Sequence, residues 1–163
     1  MKTLQTTLIF LVFSLMFTSC SEENIDTDLY DTSSLIVPEN KEIEVEILAL
    51  INQYRVDKGL SSLDQMDVIK AQAYTHTDYM IEQAKPSHDN FFKRSKYLKE
   101  HSGAKRVSEN VAYGFSSAQS VVNAWVNSEE HKKNMEGDYT HFQISAELSE
   151  DGKWYFTNMF IKK

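Results

Sequence analysis

The hydrophobic pattern of this 163-residue chain changes period near its end, and that change limits the fold more than any other feature. Apolar residues alternate with polar ones from Phe142 to Leu148, and they alternate again from Trp154 to Phe160. Alternation predicts two half-buried strands, and Asp151-Gly152 between them predicts a tight hairpin turn. Because the pattern upstream has helical spacing instead, we expect an α+β domain built in layers.

Four helices are predicted before this hairpin from apolar residues that recur three or four positions apart. Their predicted ranges are 41–58, 64–84, 90–101 and 117–134. Gly59, Pro86 and Gly103 follow the first three ranges, as helix-terminating residues should, and Ser117 is placed to cap the fourth. Residues 107–113 form a further candidate strand.

The N-terminus resembles a bacterial lipoprotein signal over residues 1–20. Lys2 precedes an apolar run over residues 8–17, and two small residues stand before Cys20. The run is shorter than the roughly 20 residues that a membrane-spanning helix needs. We therefore expect export, cleavage before Cys20 and lipidation of that cysteine, which would anchor the chain to a membrane. The alternative is an ordinary secretory signal that leaves a free Cys20.

Cys20 is the single cysteine of the chain. The exported domain should therefore contain no disulfide, so its core alone must hold it together, and thiol catalysis is excluded.

Charge separates a tether from a domain. Residues 21–40 hold six acidic residues and no Lys or Arg, whereas residues 41–163 hold 18 acidic and 16 basic residues. The first composition predicts a disordered acidic tether. Its first residues, Ser21-Glu22-Glu23, resemble the signal that sends some Gram-negative lipoproteins to the outer surface. We identify no basic patch interleaved with aromatic residues, so nucleic-acid binding is not expected, and we expect a monomer.

Five short signatures follow one another in order between residues 84 and 141. They read Ser-His-Asp-Asn-Phe-Phe from residue 87, Glu-Asn-Val-Ala-Tyr-Gly from residue 109, Ala-Trp-Val-Asn-Ser from residue 124, His131, and Tyr-Thr-His-Phe from residue 139. In this order they resemble the CAP superfamily, also called SCP or PR-1-like, in its compact bacterial form. The resemblance covers residues 41–163 and implies an α-β-α sandwich, with an antiparallel sheet and about four flanking helices.

The resemblance also implies a cavity that gathers two histidines and two acidic residues. His88, Glu109 and His141 match three of these positions. Ser128 stands where the family usually has the second acidic residue, and a bacterial Trp-x₅-His pattern fits at this point of the chain. We therefore expect His131 to take the place of the missing carboxylate.

Glu129 and Glu130 are weaker alternatives for that position. The other two histidines are not expected to act as ligands. We expect His76 to be partly buried with a satisfied ring, and His101 to complement the negative end of a helix.

Three functions remain open for this cluster. Imidazole nitrogens and a carboxylate oxygen are competent ligands for zinc or another divalent metal, and the same groups can act as general acids and bases. We expect a non-enzymatic binding module for a small-molecule, lipid or peptide ligand, with or without a metal. The rival is a metal-dependent hydrolase, a peptidase or an enzyme acting on envelope polymers, in which Glu109 is the base. A structural or adhesive surface domain is the third.

Overall fold

A computed structural model describes residues 35–163, which belong to one compact unit. The predicted signal segment, Cys20 and residues 21–34 of the predicted tether lie outside the described residues. Residues 35–40 form neither helix nor strand. No helix within residues 35–163 is long and apolar enough to cross a membrane.

Five helices and four strands make up the described domain. The helices are α1 (Glu42–Asp57), α2 (Asp67–Glu82), α3 (Phe91–Ser102), α4 (Ala118–Asn127) and α5 (Glu129–Met135). The strands are β1 (Asp64–Gln65), β2 (Arg106–Tyr113), β3 (His141–Leu148) and β4 (Trp154–Lys162).

The four strands form one sheet in the order β1-β3-β4-β2. The predicted hairpin is confirmed, because β3 runs antiparallel to β4 from the pair His141–Ile161 to the pair Leu148–Trp154. Its turn is longer than a two-residue turn, with Gly152 at a left-handed φ of 74°. β2 is also antiparallel to β4, whereas the two-residue β1 adds a short parallel edge beside β3. The three long strands are thus antiparallel, and the sheet as a whole is mixed.

The predicted fourth helix divides in two at Ser128. This residue has an extended backbone (φ −99°, ψ 120°), and its hydroxyl lies 2.9 Å from Nδ1 of His131. A serine whose side chain bonds locally competes with the helical hydrogen bonds, so the chain turns here and α5 begins. The predicted cap is confirmed, since the hydroxyl of Ser117 accepts a hydrogen bond from the backbone N–H of Ser120 at 3.2 Å.

Two hydrophobic cores cover the two faces of the sheet, which confirms the α-β-α sandwich. One core packs α1, α4 and α5 against the sheet and contains Trp125 and Phe160, which are 2% and 0% exposed. The other packs α2 and α3 against the opposite face and contains Leu98 and Ile161. Successive residues of β4 enter opposite cores, so this strand is buried on both sides. Burying one such large apolar side chain contributes about 1.5–3 kcal/mol.

A buried ion pair covers β3 beyond the point where β1 ends. Nζ of Lys70 on α2 lies 2.6 Å from Oε2 of Glu44 on α1, and both side chains are almost completely buried. Lys70 donates to the backbone carbonyl of Ile144 at 2.9 Å, and Glu44 accepts from the backbone N–H of Ala146 at 2.7 Å. The pair thereby satisfies backbone groups that an unpaired strand edge would leave open.

Candidate functional site

Glu109 is the centre of a second buried charge network, on β2. Its side chain is 1% exposed. Arg94 donates two hydrogen bonds to the carboxylate, from Nε to Oε2 and from Nη2 to Oε1, each 2.8 Å long. His88 lies on its open side, with Nδ1 2.8 Å from Oε1 and with 52% of its side chain exposed. The network therefore begins in the core and ends in solvent.

The segment between α2 and α3 is held so that His88 lies over Glu109. His76 on α2 donates from Nε2 to the backbone carbonyl of Ser87 at 2.7 Å. Arg94 donates from Nη1 to the carbonyl of Asp89 at 2.6 Å. Asn90 then turns the chain into α3 with a left-handed φ of 58°, a conformation that Asn adopts more readily than most residues. Two hydrogen bonds and one backbone turn thus fix the position of the His88 backbone.

The charges in this network favour one protonation pattern. Burial alone would raise the pKa of Glu109, but the hydrogen bond from His88 and the charge of Arg94 outweigh burial and lower that pKa. The carboxylate is therefore ionised and accepts the proton on Nδ1 of His88. When the His88 ring carries one proton, this arrangement places it on Nδ1 and leaves Nε2 as the lone-pair nitrogen.

His76 lies behind the carboxylate, with Nε2 3.9 Å from Oε1 of Glu109, and is 1% exposed. Burial lowers the pKa of His76, and the nearby charge of Arg94 lowers it further. Its Nδ1 is buried and has no hydrogen-bond partner in the described part of the chain. The predicted partial burial with a satisfied ring is therefore wrong on both counts, because the ring is fully buried and only one nitrogen is bonded.

His131 lies on α5, close enough to His88 for the two rings to interact electrostatically. Burial, followed by the effect of His88, lowers the pKa of His131. Two asparagines fasten α5 to β2 at this point. Asn134 donates to the carbonyl of Glu109 at 3.2 Å and to Oδ1 of Asn110 at 2.8 Å, and Asn110 donates to the carbonyl of His131 at 3.1 Å.

His141 is not part of this network. It begins β3, and the whole of β4 separates β3 from the strand that carries Glu109. Two strand spacings place these backbones about 10 Å apart. The register pairs His141 with Ile161, two positions along β4 from the partner of Glu109. The Nδ1 of His141 instead lies 2.9 Å from the hydroxyl of the adjacent Thr140.

The predicted metal centre of His88, Glu109, His131 and His141 is not assembled in this arrangement. Within residues 35–163, no three His, Cys, Asp or Glu side chains are placed to hold a metal ion. The physical reason is that both oxygens of Glu109 already accept from Arg94, whose positive charge would repel a divalent cation. With both oxygens of Glu109 engaged by Arg94, these residues do not fit a zinc ion.

A cleft of about 270 Å³ opens beside this network. It is lined by His88, Phe91, Val107, Ser108, Glu109 and Asn134. The Oγ of Ser108 is buried and has no hydrogen-bond partner among residues 35–163. A larger hollow of about 690 Å³ is lined by charged residues of α5 with Arg106 and Tyr139, and it shares Asn134 with the cleft. We take the smaller cleft as the candidate site because two members of the buried network, His88 and Glu109, line it.

Arg94 is the site residue that sequence reasoning missed. It is 0% exposed, and it shares the inner face of α3 with the buried Ser95 and Leu98. That spacing was the available signal, because an arginine on the apolar face of a helix needs a buried acidic partner. The pattern does not say which acid, since Glu109 is 15 positions away on another element.

Comparison with known proteins agrees with the fold. The sequence model of the CAP family, described as the cysteine-rich secretory protein family, matches residues 48–160. This chain belongs to the CAP family. Unlike the family's description, it is not rich in cysteine, since Cys20 is the single one in the sequence.

One relative and one solved structure of similar fold extend the comparison. The Uncharacterized membrane protein YlbC of Bacillus subtilis (strain 168) is 32% identical over 126 residues, which are 74% of this chain and 34% of that protein. The chain thus spans about a third of that relative's length. The structure of an outer surface protein from Borrelia burgdorferi superposes with a TM-score of 0.69 at 23% identity, over 77% of this chain and 96% of that one.

A second similar structure is an extracellular protein of Bacillus anthracis str. Ames that contains an SCP domain. Its TM-score is 0.63 at 25% identity, over 74% of this chain and 40% of that one.

Proposed function

We propose that this chain is an exported, membrane-anchored lipoprotein whose CAP domain is a non-enzymatic binding module. The ligand would lie in the cleft beside His88. One observation carries the proposal: the buried Arg94–Glu109 pair holds His88 by Nδ1 and leaves its other nitrogen available beside an open cleft. Such an arrangement orients a hydrogen-bonding group before any ligand arrives, which lowers the entropic cost of binding.

Binding is favoured over hydrolysis because Glu109 is already occupied. A general base needs a free lone pair and a pKa near the working pH. Arg94 donates a hydrogen bond to each oxygen of Glu109, and the combined contacts lower the pKa of Glu109. This carboxylate is therefore suited to positioning His88 and poorly suited to removing a proton from water.

The size and lining of the cleft narrow the class of ligand. A volume of about 270 Å³ lies just below the roughly 300–1,000 Å³ of drug-sized sites, so the cleft would accept one side chain or headgroup. Phe91 and Val107 offer apolar contact, while the half-exposed His88 offers a hydrogen bond. We therefore expect a peptide or small molecule that inserts one amphipathic group.

Export and anchoring are supported by the lipoprotein-like N-terminus and by the printed descriptions of the similar proteins, which are outer surface, extracellular and membrane proteins. Mass spectrometry of the chain expressed with its own N-terminus tests this part. We expect a lipid-modified Cys20 at the mature N-terminus, and loss of both the modification and the membrane fraction in Cys20→Ala. An unmodified Cys20 on a soluble mature chain would refute the anchor and leave the binding proposal unaffected.

The binding role is tested by nuclear magnetic resonance titration of ¹⁵N-labelled residues 35–163. The probes are a muropeptide, a short-chain phosphatidylglycerol below its micelle concentration and a pooled tripeptide library. We expect one of them to shift the resonances of His88, Ser108 and Asn134, and His88→Ala to abolish the shifts. His101→Ala is the matched control, because His101 is an exposed histidine that bonds only within α3. Binding that survives His88→Ala would place the ligand elsewhere.

A further inference from the structure

A strongly basic segment interrupts this otherwise acidic chain. Residues 85–106 hold seven Lys or Arg and two Asp or Glu, whereas the whole sequence carries a net charge of −7. Most of the segment is α3. Arg94 is used inside the protein by Glu109, whereas Lys96 and Lys99 on the same helix are exposed. On α3 itself the remaining charged residues are Lys93, Lys96, Lys99 and Glu100, which lies 3.9 Å from Lys96, so the helix surface keeps a net positive charge.

The outer face of α3 combines this charge with one exposed aromatic ring. Phe92, Lys96 and Lys99 are spaced by four and three positions, so they lie along one side of the helix. The opposite side carries the buried Arg94 and Leu98. Phe92 is 79% exposed, more than any other large hydrophobic residue in the described part of the chain. A phenylalanine at that exposure loses the favourable free energy that burial would provide.

We propose that the outer face of α3 docks on an anionic lipid surface. Lysine side chains near such a surface are attracted to the headgroup phosphates, and each strengthens binding about fivefold. Phe92 would enter the boundary between headgroups and acyl chains, where an aromatic ring is favoured at a membrane interface. Phe91, its neighbour, lines the His88 cleft, so docking would bring the cleft close to the headgroups.

A lipid surface explains this face better than a nucleic acid does. Proteins that bind single strands stack successive bases on several aromatic rings. Here Phe92 is the one aromatic residue on the lysine side, because Tyr97 stacks on His101 with ring centroids 3.9 Å apart. Substitution of Phe92 distinguishes the two ligands experimentally, because insertion of its ring contributes to binding a bilayer.

The test uses residues 35–163, which form one compact unit, so that no lipid anchor contributes. Binding to phosphatidylcholine vesicles with and without phosphatidylglycerol is measured by flotation. We expect binding to the anionic vesicles alone, weakened about twentyfold or more by Lys96→Glu with Lys99→Glu. Phe92→Ala should weaken it about tenfold. In Phe92→Trp the tryptophan emission should shift to shorter wavelength on binding, because the ring leaves water.

The matched control reverses two exposed lysines outside α3, Lys58→Glu with Lys133→Glu, and so makes the same change in net charge. We expect it to bind as the wild type does. Equal losses in the two double variants would overturn the proposal, because net charge alone would then control binding. Wild-type affinity of Phe92→Ala, together with binding to single-stranded DNA, would assign the face to a polyanion. Absence of binding to anionic vesicles would also refute it.

Discussion

Two buried carboxylates, Glu44 and Glu109, have different roles in this domain, which we assign to stability and to recognition respectively. Glu44 and Glu109 have side chains that are 0% and 1% exposed, and each pairs with a buried cation from a different helix. Around Glu44 the remaining partners are backbone N–H groups of Lys41 and Ala146. Around Glu109 one partner is His88, which is half exposed. We call the Glu44 network closed, because the side chains of Glu44 and Lys70 are both buried. We call the Glu109 network open, because it ends at the half-exposed His88.

That difference shows why a buried charge is not in itself a sign of function. Replacing a buried ion pair with apolar residues is often neutral for stability, whereas removing one partner is strongly unfavourable. The Glu44–Lys70 pair is explained by the strand edge that it covers. β2 is the outer strand of the sheet, but the bonds between Arg94 and Glu109 join side chains only and satisfy no backbone group of that strand. What remains for the pair to do is to orient His88.

The largest effect is expected at the closed network. Glu44→Ala should lower the free energy of unfolding by about 3–5 kcal/mol, because it leaves Lys70 buried without a counter-charge. Burial already lowers the pKa of Lys70, and Glu44 opposes that effect. Urea denaturation of residues 35–163 measures the loss. Glu44→Leu with Lys70→Met should recover most of it, and a double variant as unstable as the sum of both single variants would contradict this account.

A smaller effect is expected at the open network. Arg94→Met should cost about 2–3 kcal/mol, because His88 and water can still reach the carboxylate of Glu109. Arg94→Lys should restore only part of the loss, since an ammonium cannot form the two parallel bonds. Lys99→Met, on the same helix but exposed, is the control and should change little.

Stability alone would not separate a positioning role from a packing role for Arg94. The ¹⁵N resonances of the His88 ring report which nitrogen carries the proton. We expect the Nδ1–H form in the wild type and in Lys99→Met, and a mixture of forms in Arg94→Met. An unchanged tautomer in Arg94→Met would show that Arg94 does not orient His88.

The free energy of unfolding should depend on pH through the buried groups around Glu109. Because burial lowers the pKa of His76, the unfolded chain binds a proton near pH 6.5 that the folded chain resists, so stability falls as the pH drops below that value. The lowered pKa of Glu109 adds a further loss below about pH 4.5. Unfolding measured between pH 8 and 5 should show this slope, and His76→Gln should reduce it, while His131, whose pKa burial also lowers, contributes the remainder. An equal slope in His76→Gln would assign the effect to other groups.

Sequence reasoning reached the layers of this fold because they depend on local periodicity. The hairpin was predictable from alternation after Phe142, and the end of α3 from Gly103, which has the expected left-handed φ of 73°. The break at Ser128 was not, because it depends on the contact between the Ser128 hydroxyl and Nδ1 of His131, which apolar spacing does not report. The site divides in the same way. His88 and Glu109 were found through a family pattern, whereas the exclusion of His141 depends on strand order, which no local pattern reveals.

The smallest effect on stability and the largest on function are expected from the same substitution. His88→Ala removes one hydrogen bond from Glu109, but Arg94 still engages both oxygens, and His88 is half exposed. The free energy of unfolding should therefore change by less than about 1 kcal/mol. Any ligand that depends on the cleft should nevertheless lose its binding.

His101→Ala gives the matching measurement at an exposed histidine without a carboxylate partner in the described residues. Both variants should unfold at nearly the same urea concentration. If His88→Ala were as destabilising as Arg94→Met, His88 would belong to the structural support of the cleft, and the contrast between a closed and an open network would fail. If His88→Ala leaves the free energy of unfolding unchanged but abolishes ligand binding, the role of the network is to orient His88 towards the ligand.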